Sequence, residues 1–322
     1  MIDSTINNTP IGIITSHTSS SSPATAGSLI VENVVLNNVP TAIQLTGGST
    51  ILAGTSGSLT IAGWGDGHQY IPSGPSQFEG VVTPNSRPAS LLSGSNYYTQ
   101  SKPQYGNLPV SSFQSVRSAG AAGNGVTYDT YALQQVINNC AAAGAVVFFD
   151  AGTYRVTSTL FIPAGSRIVG EGYSVIMSSG SFFNNMASPQ AVIRVGNAGD
   201  TGHVEWSDMI ISTQGTQAGA ILIEWNLATS GTPSGMWDVH TRIGGFAGSN
   251  LQYGQCPSGS QNAACIGAYM SMHITPSANG LYMENCWIWS ADHDIDDPGN
   301  RQITVYSGRG LLIESTAGRI WL

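Results

Sequence analysis

Short apolar runs recur along most of the chain, at residues 29–36, 42–45, 59–62, 210–212, 220–225, 270–274, 280–289, 303–306, 311–314 and 320–322. Each is rich in Val, Ile or Leu and closed by Gly, Asn, Pro or Ser, which predicts β-strands. Regular short strands suit a sandwich as well as a coil. The coil is favoured where inward-type Val and Leu alternate with Asn, as between Val31 and Val39. There Asn33, Asn37 and Asn38 are placed to bond from one rung to the next. No strict repeat is visible. The period changes once, over residues 129–143, where Leu133, Val136, Ile137 and Cys140 fall on one face of a predicted helix. Thr127 or Asp129 is available to cap its first turn and Gly144 to end it. A lone amphipathic helix ahead of a long all-β stretch is expected to cover the open end of a solenoid, whose last rung otherwise exposes core and strand edge. Residues 97–112 are polar, contain Pro103 and Pro109, and show no apolar period, which predicts a linker.

Composition sharpens this picture. Only 9% of the 322 residues are charged while 40 are Gly, so the chain relies on backbone pairing and stacked small side chains more than on surface ion pairs. A hydrophobic content of 41% argues against disorder, although the Ser-rich residues 16–22 read as a mobile loop. Ten Lys and Arg against a net charge of -8 leave no basic stripe for phosphates, so nucleic acid is excluded as a partner and an uncharged polymer is favoured. No apolar run is long enough to span a bilayer. Residues 1–30 lack a basic start followed by an apolar stretch, so Met1 does not read as the start of a secreted precursor, and further sequence is expected before it. The four cysteines are too scattered for a zinc site, and neither metal nor cofactor is expected. Cys256 and Cys265 bracket a polar loop that a disulfide would tie in an oxidising compartment, whereas Cys140 and Cys286 read as buried free thiols. The sequon Asn7-Asn8-Thr9 agrees with secretion, so an extracellular location is expected.

The segment from Ser118 to Thr130, the helix after it, Phe148-Phe-Asp-Ala-Gly-Thr-Tyr154 and Ile162-Pro-Ala-Gly165 resemble the opening signature of the pectate-lyase-like β-helix superfamily. The usual Gly-Asp-Gly is Gly123-Asn124-Gly125 here, a departure that touches a turn and leaves the fold expectation intact. Gly219-Ala-Ile-Leu-Ile-Glu-Trp-Asn226, Gly235-Met-Trp-Asp-Val-His-Thr-Arg242, the loop between Cys256 and Cys265, Trp287-Ile-Trp-Ser-Ala-Asp-His-Asp294 and Val305-Tyr-Ser-Gly-Arg-Gly310 resemble the exo-β-1,3-glucanases of glycoside hydrolase family 55. The resemblance implies an all-β, right-handed parallel β-helix architecture in three parts. These are the closing rungs of one helix over residues 1–96, a linker over 97–112, and most of a second helix over 113–322. It further implies a secreted, inverting hydrolase that releases glucose from β-1,3-glucan chain ends, and a monomer is expected.

In that family pattern the general acid and the water-holding Glu follow residue 322 and other water-holding polar residues precede Met1, so this chain alone is expected to be inactive. Among the carboxylates present, Glu314 is the best local candidate for a tuned acid, with a supporting role as its alternative. Glu224 and Glu284 read as structural. Trp289, Asp292 and His293 are expected to form a sugar-binding wall, indole faces stacking on pyranose rings and the carboxylate accepting hydroxyl bonds. Asp294, Asp296 and Asp297 read as a solvated acidic turn, with calcium binding as an alternative. His68 and Gln69, in a Trp64-Gly-Asp-Gly-His-Gln-Tyr70 loop that resembles the family's, are expected to pack, with a substrate role as the alternative. Two rival functions remain: a polysaccharide lyase or galacturonan hydrolase on the same fold, and a non-catalytic glycan-binding β-helix.

Overall fold

The apolar runs become strands in the computed structural model, which describes residues 1–18, 20–23 and 27–322, and of Tyr173 only the backbone. The Ser-rich stretch expected as a loop includes Ser19, which lies outside the described residues. Residues 1–98 and 99–322 form two compact units.

In the first unit, β1 (Ile2–Asn7) and β2 (Ile11–Thr15) pair in parallel with β3 (Leu29–Leu45). The anticipated Asn ladders are present: Asn33 donates to Asp3 at 2.6 Å, Asn37 to Asn7 at 2.8 Å and Asn38 to Asn8 at 3.1 Å. Asp3, Asn8, Asn33 and Asn38 all take positive φ, which short polar side chains tolerate best. Val31, Val34, Leu36, Val39 and Ile43 turn inward onto Trp64. The unit departs from a simple stack of rungs, because β4 (Thr50–Ile71) pairs antiparallel onto β3 and β5 (Gly74–Val81) pairs antiparallel onto β4. The remainder of the unit carries a 3-10 turn at Ala89–Leu91 and a short hairpin of β6 (Leu92–Ser93) and β7 (Asn96–Tyr97).

The second unit begins with β8 (Phe113–Ser115) and β9 (Asn124–Tyr128), followed by α1 (Thr130–Ala143). Leu133, Val136, Ile137 and Cys140 are its buried face and Gly144 ends it at φ 65°. Asp129 stands at the N-cap but makes no side-chain cap bond. Its carboxylate accepts instead from the N–H groups of Ala122 and Gly123, at 2.7 and 3.1 Å, tying down the preceding turn. The helix packs over β10 (Val146–Phe149), β11 (Thr153–Val156) and β12 (Leu160–Ile162).

From there the chain feeds two parallel sheets in alternation. One sheet receives β13 (Arg167–Ser178), the other β14 (Gln190–Val195), and so on through β15 (Glu205–Thr213), β16 (Ala220–Trp225), β17 (Ser234–Ile243) and β18 (Ile266–Ile274). The closing strands are β19 (Leu281–Glu284) and β20 (Ile288–Ser290), both on β17, then β21 (Tyr306–Ile313) on β18 and β22 (Ile320–Trp321) on β19. The expected single run over 280–289 is thus two strands parted by a bend at Asn285, and Ile303 makes only an isolated bridge before β21 starts at Tyr306. Register stacks like residues, with Ile168, Trp206, Met236 and Met283 on one column and Ile193, Ile223 and Met272 on another, all inside a continuous core. Gly235 leaves room for the Trp237 ring on the outer face of β17, since a Cβ there would meet that ring at 1.9 Å. No helix among the described residues is long and apolar enough to cross a membrane.

Of the linker expected over 97–112, residues 99–112 belong to the second unit and run against its strands. Gln100 accepts the Trp237 indole N–H through its carbonyl at 3.0 Å, and Tyr105 donates its hydroxyl to Glu205 at 2.7 Å.

Candidate functional site

The site grows from the second half of β17. Val239, Thr241 and Ile243 point into the core, so alternation turns His240 and Arg242 outward. On the next rung β20 places Ile288 opposite Thr241 and Trp289 opposite Arg242. The outward residues of the two rungs line a groove of about 630 Å³, closed at one side by Asp208 and Asp238 and at the other by His293 and Ile295.

Two indoles dominate it. Trp287 and Trp289 stack with centroids 4.9 Å apart and planes 16° from parallel. The Arg242 guanidinium lies 5.4 Å over the Trp289 ring and 5.0 Å over Phe246, and Nη2 donates to the Gly245 carbonyl at 2.8 Å. Burial lowers the Arg242 pKa, opposed by the charges of Asp296 and Asp294. Among the described residues no carboxylate is in ion-pair contact with it. The His293 ring is tilted against Trp289 at 5.7 Å, and its Nδ1 lies 2.8 Å from Asp292 Oδ1.

The opposite wall is a ladder of bends. Asp208, Asp238 and Asn285 occupy successive rungs, each at positive φ and each one residue beyond the paired positions Ser207, Trp237 and Glu284. Lys102 bridges the two carboxylates, with Nζ 2.5 Å from Asp208 and 3.0 Å from Asp238, and Asn285 donates to Asp238. Burial alone would lower the Lys102 pKa, but its bonds to Asp208 and Asp238 outweigh that and raise it. Asp238 is held below its ordinary value, because the Lys102 and Asn285 bonds outweigh its burial. His240 is shifted down by burial, against the pull of both carboxylates. Its Nδ1 accepts the backbone N–H of Trp287 at 3.0 Å.

Of the residues the sequence nominated, Trp289 and His293 line this groove. Asp292 does not; its side chain is 74% exposed and tied to His293. Glu314 lies elsewhere, on the sheet of β18 and β21, where it pairs with His273 Nε2 at 2.7 Å and stays 47% exposed. Glu224 is bridged to Arg194 at 2.7 Å and Glu284 accepts from the Tyr282 hydroxyl at 2.7 Å, both structural contacts. The acidic turn is not simply solvated. Asp294 is buried and accepts from Gln252 and from the N–H groups of Tyr253 and Asp296, Asp296 accepts from Ala247 N, and Asp297 pairs with Arg301. No group of three metal-ligating side chains converges among the described residues. In the first unit His68 is buried with its N–H on Ser28 Oγ, while Gln69 is exposed. Cys256 and Cys265 form a disulfide with both residues buried, and Cys140 is a buried thiol. Cys286 is only partly buried, because it sits in the bend between β19 and β20 rather than inside a strand.

Sequence reasoning passed over Lys102, Asp208, His240 and Arg242. The one available signal was that Asp208 and Asp238 fall at matching places in successive rungs, after Trp206-Ser207 and Met236-Trp237.

Comparison with known proteins adds an independent finding. The family described as "Rhamnogalacturonase A/epimerase, pectate lyase-like" matches residues 113–305. The chain is 47% identical over 325 residues to "Glucan 1,3-beta-glucosidase" of Cochliobolus carbonum, covering 100% of this chain and 41% of that protein. It is 44% identical over 244 residues to "Probable glucan endo-1,3-beta-glucosidase" of Arthroderma benhamiae, covering 74% and 27% respectively. It is 38% identical over 333 residues to a "Non-secreted LysM effector" of Penicillium expansum, covering 100% and 23%. The chain thus spans less than half the length of each of these relatives.

Proposed function

We propose that this chain, which belongs to the rhamnogalacturonase A/epimerase, pectate-lyase-like family, is part of a glycoside hydrolase acting on β-1,3-glucan. The observation that carries the reading is the stacked Trp287–Trp289 pair in a groove also lined by His293, Asp208 and Asp238. Indoles supply apolar faces for pyranose rings, and the imidazole and carboxylate supply partners for hydroxyls. The glucanase names of two relatives support the choice of polymer.

The finer reading is a member of glycoside hydrolase family 55. Alternating parallel sheets with stacked bends support a right-handed parallel β-helix for the second unit, the hand that parallel crossovers adopt. The enzyme works by inversion, one carboxylic acid protonating the leaving oxygen and a second carboxylate activating water. Neither role falls to Asp208 or Asp238, since one ammonium binds both. We assign the catalytic pair to sequence outside this chain, and the action to chain ends. The disulfide and the Asn7 sequon support an extracellular enzyme.

The occupied carboxylates also favour a second reading, a glycan-binding unit without catalysis. The test is to express this chain and a form extended at both ends and to assay each on laminarin and on pectin. Glucose from laminarin with the extended form alone is the expected result. Longer oligosaccharides as first products would replace end action by internal cleavage. Activity of the short chain would overturn the placement of the catalytic pair, and uronide release from pectin would overturn the glucan reading. Laminarin binding with neither form active would establish the second reading.

A further inference from the structure

Trp289 is the indole that the sequence nominates, yet its ring is taken up by Trp287, the Arg242 guanidinium and His293. Trp287 has one stacked neighbour among the described residues and is 60% exposed, so it alone of the pair retains a free face. Ile295, 49% exposed, extends the apolar surface along the same groove. Exposed apolar groups gathered in a concave site mark a place where a ligand is held.

His240 is coupled to that face. Its Nδ1 accepts the Trp287 backbone N–H at 3.0 Å, so the neutral ring carries its proton on Nε2. His240 lines the groove, which makes the Nε2–H a donor of fixed direction beside the free indole face. A protonated ring would carry N–H on both nitrogens and would oppose the Trp287 N–H, so burial of the imidazole and this bond both favour the neutral form. Facing it are Asp208 and Asp238, whose charges are shared with Lys102 and whose remaining lone pairs are acceptors.

We propose that Trp287 and His240 form a subsite for a neutral pyranose, the indole taking the ring's C–H face and Nε2–H donating to a hydroxyl. Trp289 and Arg242 are positioning residues that hold Trp287 flat from behind. The chemistry suits a neutral sugar, because the indole face and the neutral imidazole carry no charge and the charges of Asp208 and Asp238 are already shared with Lys102. The proposal rests on the glucan reading and deepens it.

Binding of laminarihexaose and of trigalacturonate to the full chain, measured by calorimetry for the parent, Trp287→Ala, Trp287→Phe and His240→Gln, tests it. Loss of a central aromatic anchor weakens binding about tenfold. The expectation is therefore a tenfold rise in Kd for Trp287→Ala, a smaller one for Trp287→Phe and His240→Gln, and an unchanged melting temperature for the exposed Trp287→Ala. Nitrogen-15 shifts should place the His240 proton on Nε2 at neutral pH. Parent binding of laminarihexaose that Trp287→Ala leaves within about twofold, or a proton on Nδ1, overturns the subsite alone. Tighter binding of trigalacturonate than of laminarihexaose overturns its neutral-sugar selectivity. Failure of the parent to bind laminarihexaose overturns both the subsite and the glucan reading beneath it.

Discussion

Replacing Lys102 with methionine keeps the aliphatic stem and removes one ammonium from two carboxylates. Nζ is 2.5 Å from Asp208 and 3.0 Å from Asp238, and the three side chains are 30%, 24% and 33% exposed. A hydrogen bond to a charged group contributes about 1.5–3 kcal/mol when well buried. Partial exposure screens each of these to about 1 kcal/mol, so the pair of bonds is worth about 2 kcal/mol. The two carboxylates, fixed by successive bends, then repel each other by roughly 1 kcal/mol in a mostly solvated dielectric. Lys102→Met is therefore expected to cost about 3 kcal/mol at low salt and less at about 1 M salt. Urea unfolding followed by the fluorescence of the buried Trp206, Trp225 and Trp237 reads it. Adding Asp208→Asn should be destabilising in the parent but neutral or favourable in Lys102→Met, a non-additivity expected only of groups in contact. The effect also has a pH signature. Asp238 has a lowered pKa, so its contribution is present above 3.8 and is lost as pH falls through its folded value. The cost of Lys102→Met should shrink in the same window. A cost within about 0.5 kcal/mol of zero, or an Asp208→Asn effect equal in both backgrounds, would refute the bridge as a stabilising contact.

Cys256 and Cys265 are nine residues apart in sequence, and closing so short a loop removes unfolded-state entropy worth about 2.7 kcal/mol. The Cys256→Ser/Cys265→Ser pair should lose about that much in denaturant unfolding, and an unchanged midpoint would show that the loop is held by its other contacts. Asp294 is buried and accepts from Gln252 and from the N–H groups of Tyr253 and Asp296. Burial raises its pKa, but these bonds outweigh it and the net shift is downward, so its stabilisation is present above 3.8 and lost as pH falls through the folded value. Asp294→Asn should cost about 2 kcal/mol at neutral pH and little in acid, read from melting temperatures across that range, and a pH-independent difference would contradict this.

Local features of the chain were readable because nearest neighbours decide them. The apolar face of α1 and its Gly144 stop follow from a 3.6-residue period and one left-handed position. The Asn33, Asn37 and Asn38 ladders follow because a short amide finds a short polar partner one rung away, Asp3 for Asn33 and an Asn for the other two. The Trp287 and Trp289 pair was visible as a motif, and so was the loop between Cys256 and Cys265. Which indole keeps a free face was not visible, because that depends on Arg242 arriving from the neighbouring strand. The expected linker gave no sign that Lys102 would bridge carboxylates 106 and 136 residues away, since charge pairing at such separation depends on register. The antiparallel pairing of β4 and β5 was missed for the same reason: alternation marks a strand, as it did at residues 59–62 of β4, but carries no information about its partner's direction. Sequence alone thus determined the all-β character, many of the strands, the helix and the pectate-lyase-like family. Tertiary structure decided which side chains of successive rungs face one groove, and with it the site, because contacts between rungs are set by stacking in space.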